Sequence, residues 1–369
     1  MPVKRWSVAG LGLCAALHLG SSLAASSIWP AQATAQSAMI ADYRSLACSK
    51  EPPPPYTGNL QLQSKYDQSD ASKSTLRSDP DAGTEKVGKQ VKAFIGGLIY
   101  ANKRFLRAKT PQEANMALAC QDQWLEHWAQ AGALLNPDAS STGMAARKWA
   151  VAAMASTLLL TQAASNGQVQ LSPAQTRWFE QLGELIIREY QPRQAASFTW
   201  FNNHDYWAAW AVAATAMLLD DDRALAWADV ALRRAFTQLT PGKGDYQYLP
   251  LEVARGRLAA DYSHYALVPL MLLVEAAEHN GRPLTEQERE KLAGLANFAA
   301  RAVLEPKTLA ELTERQSEVG PHKMVWVLPF LTRYPQHQWA ARLYQAHGKA
   351  INHYSQVGGD LKPLYPQLN

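Results

Sequence analysis

Trp200-Phe-Asn-Asn-His-Asp-Tyr-Trp-Ala-Ala-Trp-Ala-Val-Ala-Ala-Thr-Ala216 reads as a helix with a sharp start and a run of small residues behind it. Asn202 and Asn203 stand in an N-cap context and His204 opens the helix. The alanines after Trp207 let neighbouring helices approach closely. Trp207 and Trp210 then have room to point inward, into a core or a cleft.

Outward from this stretch the chain keeps a helical period. Val91, Phe94, Ile95, Leu98 and Ile99 recur at helical spacing. Amphipathic stretches follow at roughly 111–135, 143–163, 173–190, 204–219, 222–237, 258–280, 286–304 and 336–349. Thr110-Pro-Gln-Glu113, Ser172-Pro-Ala-Gln175 and Thr285-Glu-Gln-Glu288 have the pattern of capping boxes, two with Pro at the first helical position. Short extended pieces are expected only near Tyr246–Leu251 and Met324–Phe330. The fold class is all-α, an α-solenoid or a toroid of stacked helical hairpins. No fixed-period repeat is found, which disfavours the consensus repeat families.

Composition agrees. Of 369 residues 47% are apolar, 12 are Trp and only 18% are charged, which excludes a disordered chain. Three cysteines are too few for a disulfide scaffold. A formal charge of +4 without long Lys/Arg runs argues against a duplex DNA binder.

Residues 1–35 read as a secretory signal peptide. Lys4 and Arg5 precede an apolar stretch, Ala9 to Gly20, that is too short to span a bilayer, which takes roughly 20 apolar residues. Ala33 and Ala35 form an A-x-A site before Gln36, with Ala24/Ala25 as an earlier candidate. A membrane anchor is the competing interpretation, disfavoured by the Ser, Gln and Pro after position 20. Residues 36–369 are then one exported, periplasmic domain with a formal charge of +2. It retains Cys48 and Cys120. A bridge between them would close a loop of about 70 residues, stabilise by about 4 kcal/mol, and tie the N-terminal segment onto the second long helix. Residues 49–58 read as a stiff Pro-rich linker and 63–90 as a polar surface loop or lid.

Two clusters carry candidate chemistry. In the first, a helix N-terminus at Asn203 and His204 offers free N–H groups and a positive dipole end, suited to a carboxylate. The dipole also favours neutral His204. In the second, Arg255-Gly-Arg-Leu-Ala-Ala-Asp-Tyr262-Ser-His264-Tyr265, Arg255 and Tyr262 are seven apart and share a face if the stretch is helical. A guanidinium beside a phenol stabilises the phenolate, which can act as a base. Each cluster alone has a plain structural interpretation, as a capped helix and as an Arg with a half-buried Tyr. Together, Asn, His, Arg and Tyr suit abstraction of a proton α to a carboxylate. On a 4-linked uronate polymer that chemistry is β-elimination: the C5 proton leaves and the C4–O bond breaks. No metal-ligand pattern appears and no cofactor is called for.

The sequence resembles the periplasmic alginate (mannuronate) lyases of polysaccharide lyase family 5. The matching pieces are Ser64-Lys-Tyr-Asp-Gln-Ser-Asp70, Trp124 to Leu135, Thr142-Gly-Met-Ala-Ala-Arg-Lys-Trp-Ala150, Asn202-Asn-His-Asp-Tyr-Trp-Ala-Ala-Trp210, Tyr262-Ser-His-Tyr-Ala-Leu267 and Gly358-Gly-Asp-Leu361. The resemblance implies an incomplete α/α toroid with a deep cleft. It places the family's carboxylate-neutralising Asn on Asn203, its His on His204, its Arg on Arg255 and its catalytic Tyr on Tyr262. The family's lid falls on 63–90, with Lys65 and Tyr66 over the substrate. Arg147, Lys148, Trp149 and Trp207 would lie along the cleft. Lys65, Arg147, Lys148, Arg255 and Arg257 would concentrate positive potential there.

Three positions depart from the family's pattern: Asp205 for its Ser, Gln356 for an Arg, and Ser263-His264 for His-Asn. Asp205 is expected to raise the pKa of His204 or to repel uronates. Stereochemistry assigns the roles. In β-mannuronate the C5 hydrogen and C4 oxygen are syn, so Tyr262 can take the proton and return it. In α-guluronate they are anti, and His204 would be the base with Tyr262 as acid. The resemblance favours an endo-acting mannuronate lyase. The alternatives are a lyase for another polyuronate such as polyglucuronate, a catalytically weak polyuronate-binding protein, and a toroidal glycoside hydrolase. The hydrolase needs paired carboxylates, and only Asp205 and Asp261 lie near the clusters. Expected partners are an anionic polysaccharide and an exopolysaccharide assembly complex, with no nucleic acid or membrane insertion, and a monomer in solution.

Overall fold

Among the described residues, 25–351 and 353–368 of a computed structural model, eleven α-helices follow one another. They are α1 (Ala82–Leu106), α2 (Pro111–Gln130), α3 (Ser141–Ala164), α4 (Pro173–Tyr190), α5 (Asn203–Leu219), α6 (Asp222–Gln238), α7 (Pro250–Val253), α8 (Ala259–His279), α9 (Glu286–Leu304), α10 (Val327–Arg333) and α11 (Gln338–His347). A two-stranded antiparallel ribbon, β1 (Thr240–Pro241) and β2 (Gln247–Tyr248), separates α6 from α7. Of the leader expected over residues 1–35, residues 1–24 lie outside the described residues.

Side chains written into the sequence start these helices. Asp81, Thr110, Ser140, Ser172, Asp221 and Thr285 each accept a backbone N–H of the first turn, at about 1 kcal/mol apiece. Ser172 and Thr285 form full capping boxes. Thr110 forms half of one, because Glu113 accepts from Lys109 N instead, at 2.7 Å.

Short connections make successive helices pack as hairpins, and α5 sits at the centre against α3, α4, α6 and α8. Trp207 through Ala211 are fully buried, so alanine on every side is what lets four helices close around one. Trp210 donates to Ser156 Oγ on α3 at 3.2 Å. Gly143 on α3 is required by contact: a Cβ there would lie 1.8 Å from Leu60 O.

Cys48 and Cys120 are bridged, which fastens the N-terminal segment to α2. Residues 25–35 are also docked. Trp29 is buried edge-on to Trp210, Ala25 N donates to Asp220 Oδ1 at 2.7 Å and Ser26 N to Asn280 Oδ1 at 2.7 Å.

Two expectations change. Met324–Phe330 is helical, a 3₁₀ turn at Pro321–Met324 running into α10. Its residues from Met324 to Phe330 are buried nearly throughout, and a short apolar run buried all round has no period to distinguish strand from helix. The polar segment expected over 63–90 as a surface loop or lid ends at 81, since Asp81 caps α1 at Ala82.

Candidate active site

α5 begins the site. Asn202 is its N-cap and accepts from His204 N at 3.0 Å. Asp205 accepts back from Asn202 N at 2.8 Å, a capping box in which the Asp does the work of the usual Glu. Asp205 is also clamped by Arg193, at 2.6 and 2.7 Å. Its charge is thus committed to the helix start and to Arg193. The expected upward push on His204 is absent: burial first, then Lys148, Arg193 and Arg255, hold His204 well below the ordinary histidine value, so it is neutral.

Arg255 and Tyr262 do not share a continuous helix. Arg255 follows α7, Gly256 turns the chain at φ +57°, and Tyr262 lies in the first turn of α8. The turn nevertheless lays the guanidinium 3.9 Å from the Tyr262 ring centroid. Burial and the Tyr66 contact outweigh this cation, and the Tyr262 phenol is pushed above its ordinary value. The expectation that Arg255 alone would lower it is therefore corrected: at rest Tyr262 keeps its proton, and donates it to Tyr66 Oη at 3.0 Å.

The segment 63–81 covers this pair. The Tyr66 ring centroid lies 5.3 Å from the Arg255 guanidinium, and Lys65 Nζ is 5.0 Å from the Tyr66 ring. Arg255 Nη2 donates to Lys73 O at 2.5 Å and Arg257 Nη2 to Ser74 O at 2.7 Å.

α3 supplies the far wall. Trp149 stands 5.7 Å from the His204 ring. Lys148 is fully buried, 2.9 Å from His204 Nδ1 and 2.9 Å from Tyr190 Oη. Arg147 points the other way. It pairs with Glu189 and donates to Leu134 O and Asn136 O, a buried structural knot outside the cleft. Trp207 is wholly buried beneath Tyr265 and Tyr354 and offers no open face. His264 is a core histidine, bonded to Ala299 O and Trp326 Nε1. Gln356, where the family has an Arg, bonds the Tyr265 hydroxyl at 3.2 Å.

The expected five-cation cleft is thus redrawn: Arg147 leaves it, and Arg193, paired to Asp205, and Lys323, paired to Asp261, stand near it. Sequence reasoning missed Tyr190, Arg193, Lys323 and Glu252. Only the i, i+3 spacing of Asn202 and Asp205 hinted that a carboxylate there was structural. Among the described residues, Asn203 Oδ1, Arg255 Nε and Trp149 Nε1 are buried without a hydrogen-bond partner. An acceptor and two donors in the site of a neutral imidazole suit a polar ligand.

Glu252 on α7 fixes Asn203. It is buried and accepts from both Asn203 N and Asn203 Nδ2, each at 2.8 Å. Burial pushes its pKa up to about 7, against the Asn203 donors and Arg255. A carboxyl that titrates higher folded than unfolded binds its proton more tightly in the fold. Stability is therefore lost as pH rises between about 4 and 7, by about 3 kcal/mol in all. Glu252→Gln removes this titration. The fall in Tm between pH 5 and pH 8 should shrink in the variant, and an equal fall in both proteins would clear Glu252 of the effect.

The Alginate lyase family profile matches residues 61–309, well over half the chain. An alginate lyase of Pseudomonas putida (strain GB-1) is 29% identical over 321 residues, 85% of this chain and 84% of the relative. One of Pseudomonas fluorescens (strain SBW25) is 30% identical over 325 residues, 85% and 83%. Among solved structures, alginate lyase A1-III from Sphingomonas species A1 has a TM-score of 0.63 at 17% identity, covering 90% of this chain and 91% of that one. An A1-III variant complexed with a tetrasaccharide has a TM-score of 0.67 at 16% identity, covering 93% and 95%. The hairpins of the fold are thus those of an α/α toroid, and the chain belongs to the alginate lyase family.

Proposed function

We propose that this protein is an endo-acting alginate lyase, directed at mannuronate, that cleaves by syn β-elimination. The observation that carries this is the stack of Tyr262 on Arg255 under Tyr66, with neutral His204 and Asn203 at the start of α5. Arg255, the His204 ring and the second Nδ2–H of Asn203, the one not given to Glu252, neutralise the uronate carboxylate, which acidifies C5–H. The Tyr262 phenolate takes the C5 proton, the C–H electron pair becomes the C4–C5 double bond, and the C4–O pair leaves with the oxygen. Tyr262 returns the proton to that oxygen. Trp149, half-buried beside His204, gives a sugar ring a face to stack on.

The test compares poly-mannuronate, poly-guluronate and polyglucuronate by ultraviolet absorbance of the unsaturated product and by viscosity. Early viscosity loss with an absorbing product from poly-mannuronate is expected. Reducing ends without absorbance would make the protein a hydrolase, and binding without either would make it a binding protein.

Export to the periplasm is part of the same proposal. The docked residues 25–35 support a cut at the earlier site, after Ala24, where Ser22 and Ala24 are the small pair. The new ammonium at Ala25 would then face Asp220. A cut after Ala35 would remove the buried Trp29. Mass spectrometry of the exported protein should give an N-terminus at Ala25, and one at Gln36 would sink this choice.

A further inference from the structure

Lys148 is an unusual group to find where it is. Its side chain has no exposed surface and, among the described residues, no carboxylate pairs with it, whereas the adjacent Arg147 has Glu189. Its partners are Tyr190 Oη and His204 Nδ1, both at 2.9 Å. The rings of Trp149 and Tyr190 flank it at 5.1 and 4.9 Å.

The hydrogen-bond inventory leaves one good arrangement. As an ammonium, Lys148 has only donors, so Nδ1 must accept. As a neutral amine, it has one lone pair. That lone pair can take the Tyr190 O–H while an amine N–H goes on to Nδ1, which satisfies every group. The reverse, with Nδ1–H donating to the amine, leaves the Tyr190 hydroxyl proton buried without an acceptor. In both charge states the imidazole proton is therefore on Nε2, across the ring from Lys148.

We infer that Lys148 is a positioning residue that locks His204 in its Nε2–H tautomer, and that this lock selects mannuronate over guluronate. The inference rests on Tyr262 being the base. A locked His204 has its only lone pair, on Nδ1, engaged by Lys148. It can donate Nε2–H to the uronate carboxylate but cannot take a proton from C5. Anti elimination of guluronate then lacks its second proton carrier. Syn elimination of mannuronate, with Tyr262 taking and returning the proton, does not need one.

The test begins with the wild-type protein labelled with ¹⁵N-histidine. Long-range ¹H–¹⁵N correlation separates proton-bearing from bare ring nitrogens, and the His204 signals among the nine histidines are those missing in His204→Ala. A bare Nδ1 and a protonated Nε2 are expected. A protonated Nδ1 overturns the inference. In Lys148→Met the donor is gone and the unbranched chain is kept out to Cε, so the Nδ1–H form should appear. The ratio of poly-guluronate to poly-mannuronate rates should rise by about 10-fold, the equivalent of one hydrogen bond. Lys148→Arg keeps a head with donors only, so Nδ1 must still accept, and it should keep both the tautomer and the ratio. A changed tautomer with an unchanged ratio overturns the selectivity claim, as does a ratio raised equally in Arg and Met. Should Lys148→Met not fold, the wild-type spectrum and the Arg variant still decide. The spectrum involves no substrate. An Nε2–H spectrum without any unsaturated product refutes the lyase function and leaves the lock standing.

Discussion

Tyr262→Phe is expected to lower formation of unsaturated product by at least ~10³-fold, near the upper end for a proton-transfer group, with KM little changed. One oxygen is removed and little else. The Phe ring keeps its place over Arg255 and its edge-to-face contact with Tyr265, at a centroid distance of 6.0 Å. Folding and carboxylate binding therefore survive, and the loss is in kcat. The pH dependence sharpens this. Burial holds the Tyr262 phenol above its ordinary value, so at neutral pH only a small fraction is phenolate. That fraction grows about tenfold per pH unit, so wild-type kcat/KM should climb toward alkaline pH, while the residual rate of the Phe variant should not. A Phe variant within ~10-fold of wild type, or one with the same alkaline climb, would remove Tyr262 from the reaction.

The elements were legible because their signals are local. Seven of the amphipathic stretches from 111 to 304 land within a few residues of α2, α3, α4, α5, α6, α8 and α9. Their caps, Ser172 and Thr285 among them, lie within four residues of the period they start. Met324–Phe330 failed because a run buried all round carries no period. In the site, the motifs singled out candidate residues but carried no signal for the direction of their side chains. Arg147 and Lys148 are neighbours in sequence and point to opposite sides of α3, one to a Glu189 knot and one to His204. Asp205 looked like a foreign charge in the site, but Arg193, twelve residues back, neutralises it. Glu252 lies 49 residues from Asn203 and belongs to no motif, yet it holds both Asn203 donors. A charge's partner is a tertiary fact, and whether a charge acts on the substrate or on the fold depends on that partner.

His204→Ala should also lose at least ~10³-fold, for a different reason. In the neutral form that burial and its cationic neighbours enforce, the ring offers a hydrogen bond to charge that grows on the carboxylate as C5–H breaks. Removing one such donor costs about 10²–10³ in kcat. The alanine adds to that by leaving Lys148 with one partner fewer and by opening the cleft beside Trp149. A donor and a base can be told apart by His204→Gln, whose amide N–H can still reach the carboxylate but cannot accept a proton from carbon. If His204 is a donor, Gln should recover about tenfold over Ala on poly-mannuronate, and the recovered activity should keep the wild-type dependence on pH, since that dependence belongs to Tyr262. Gln as inactive as Ala would instead make His204 a proton carrier. The rate would then fall as pH drops through the titration of His204, not that of the tyrosine.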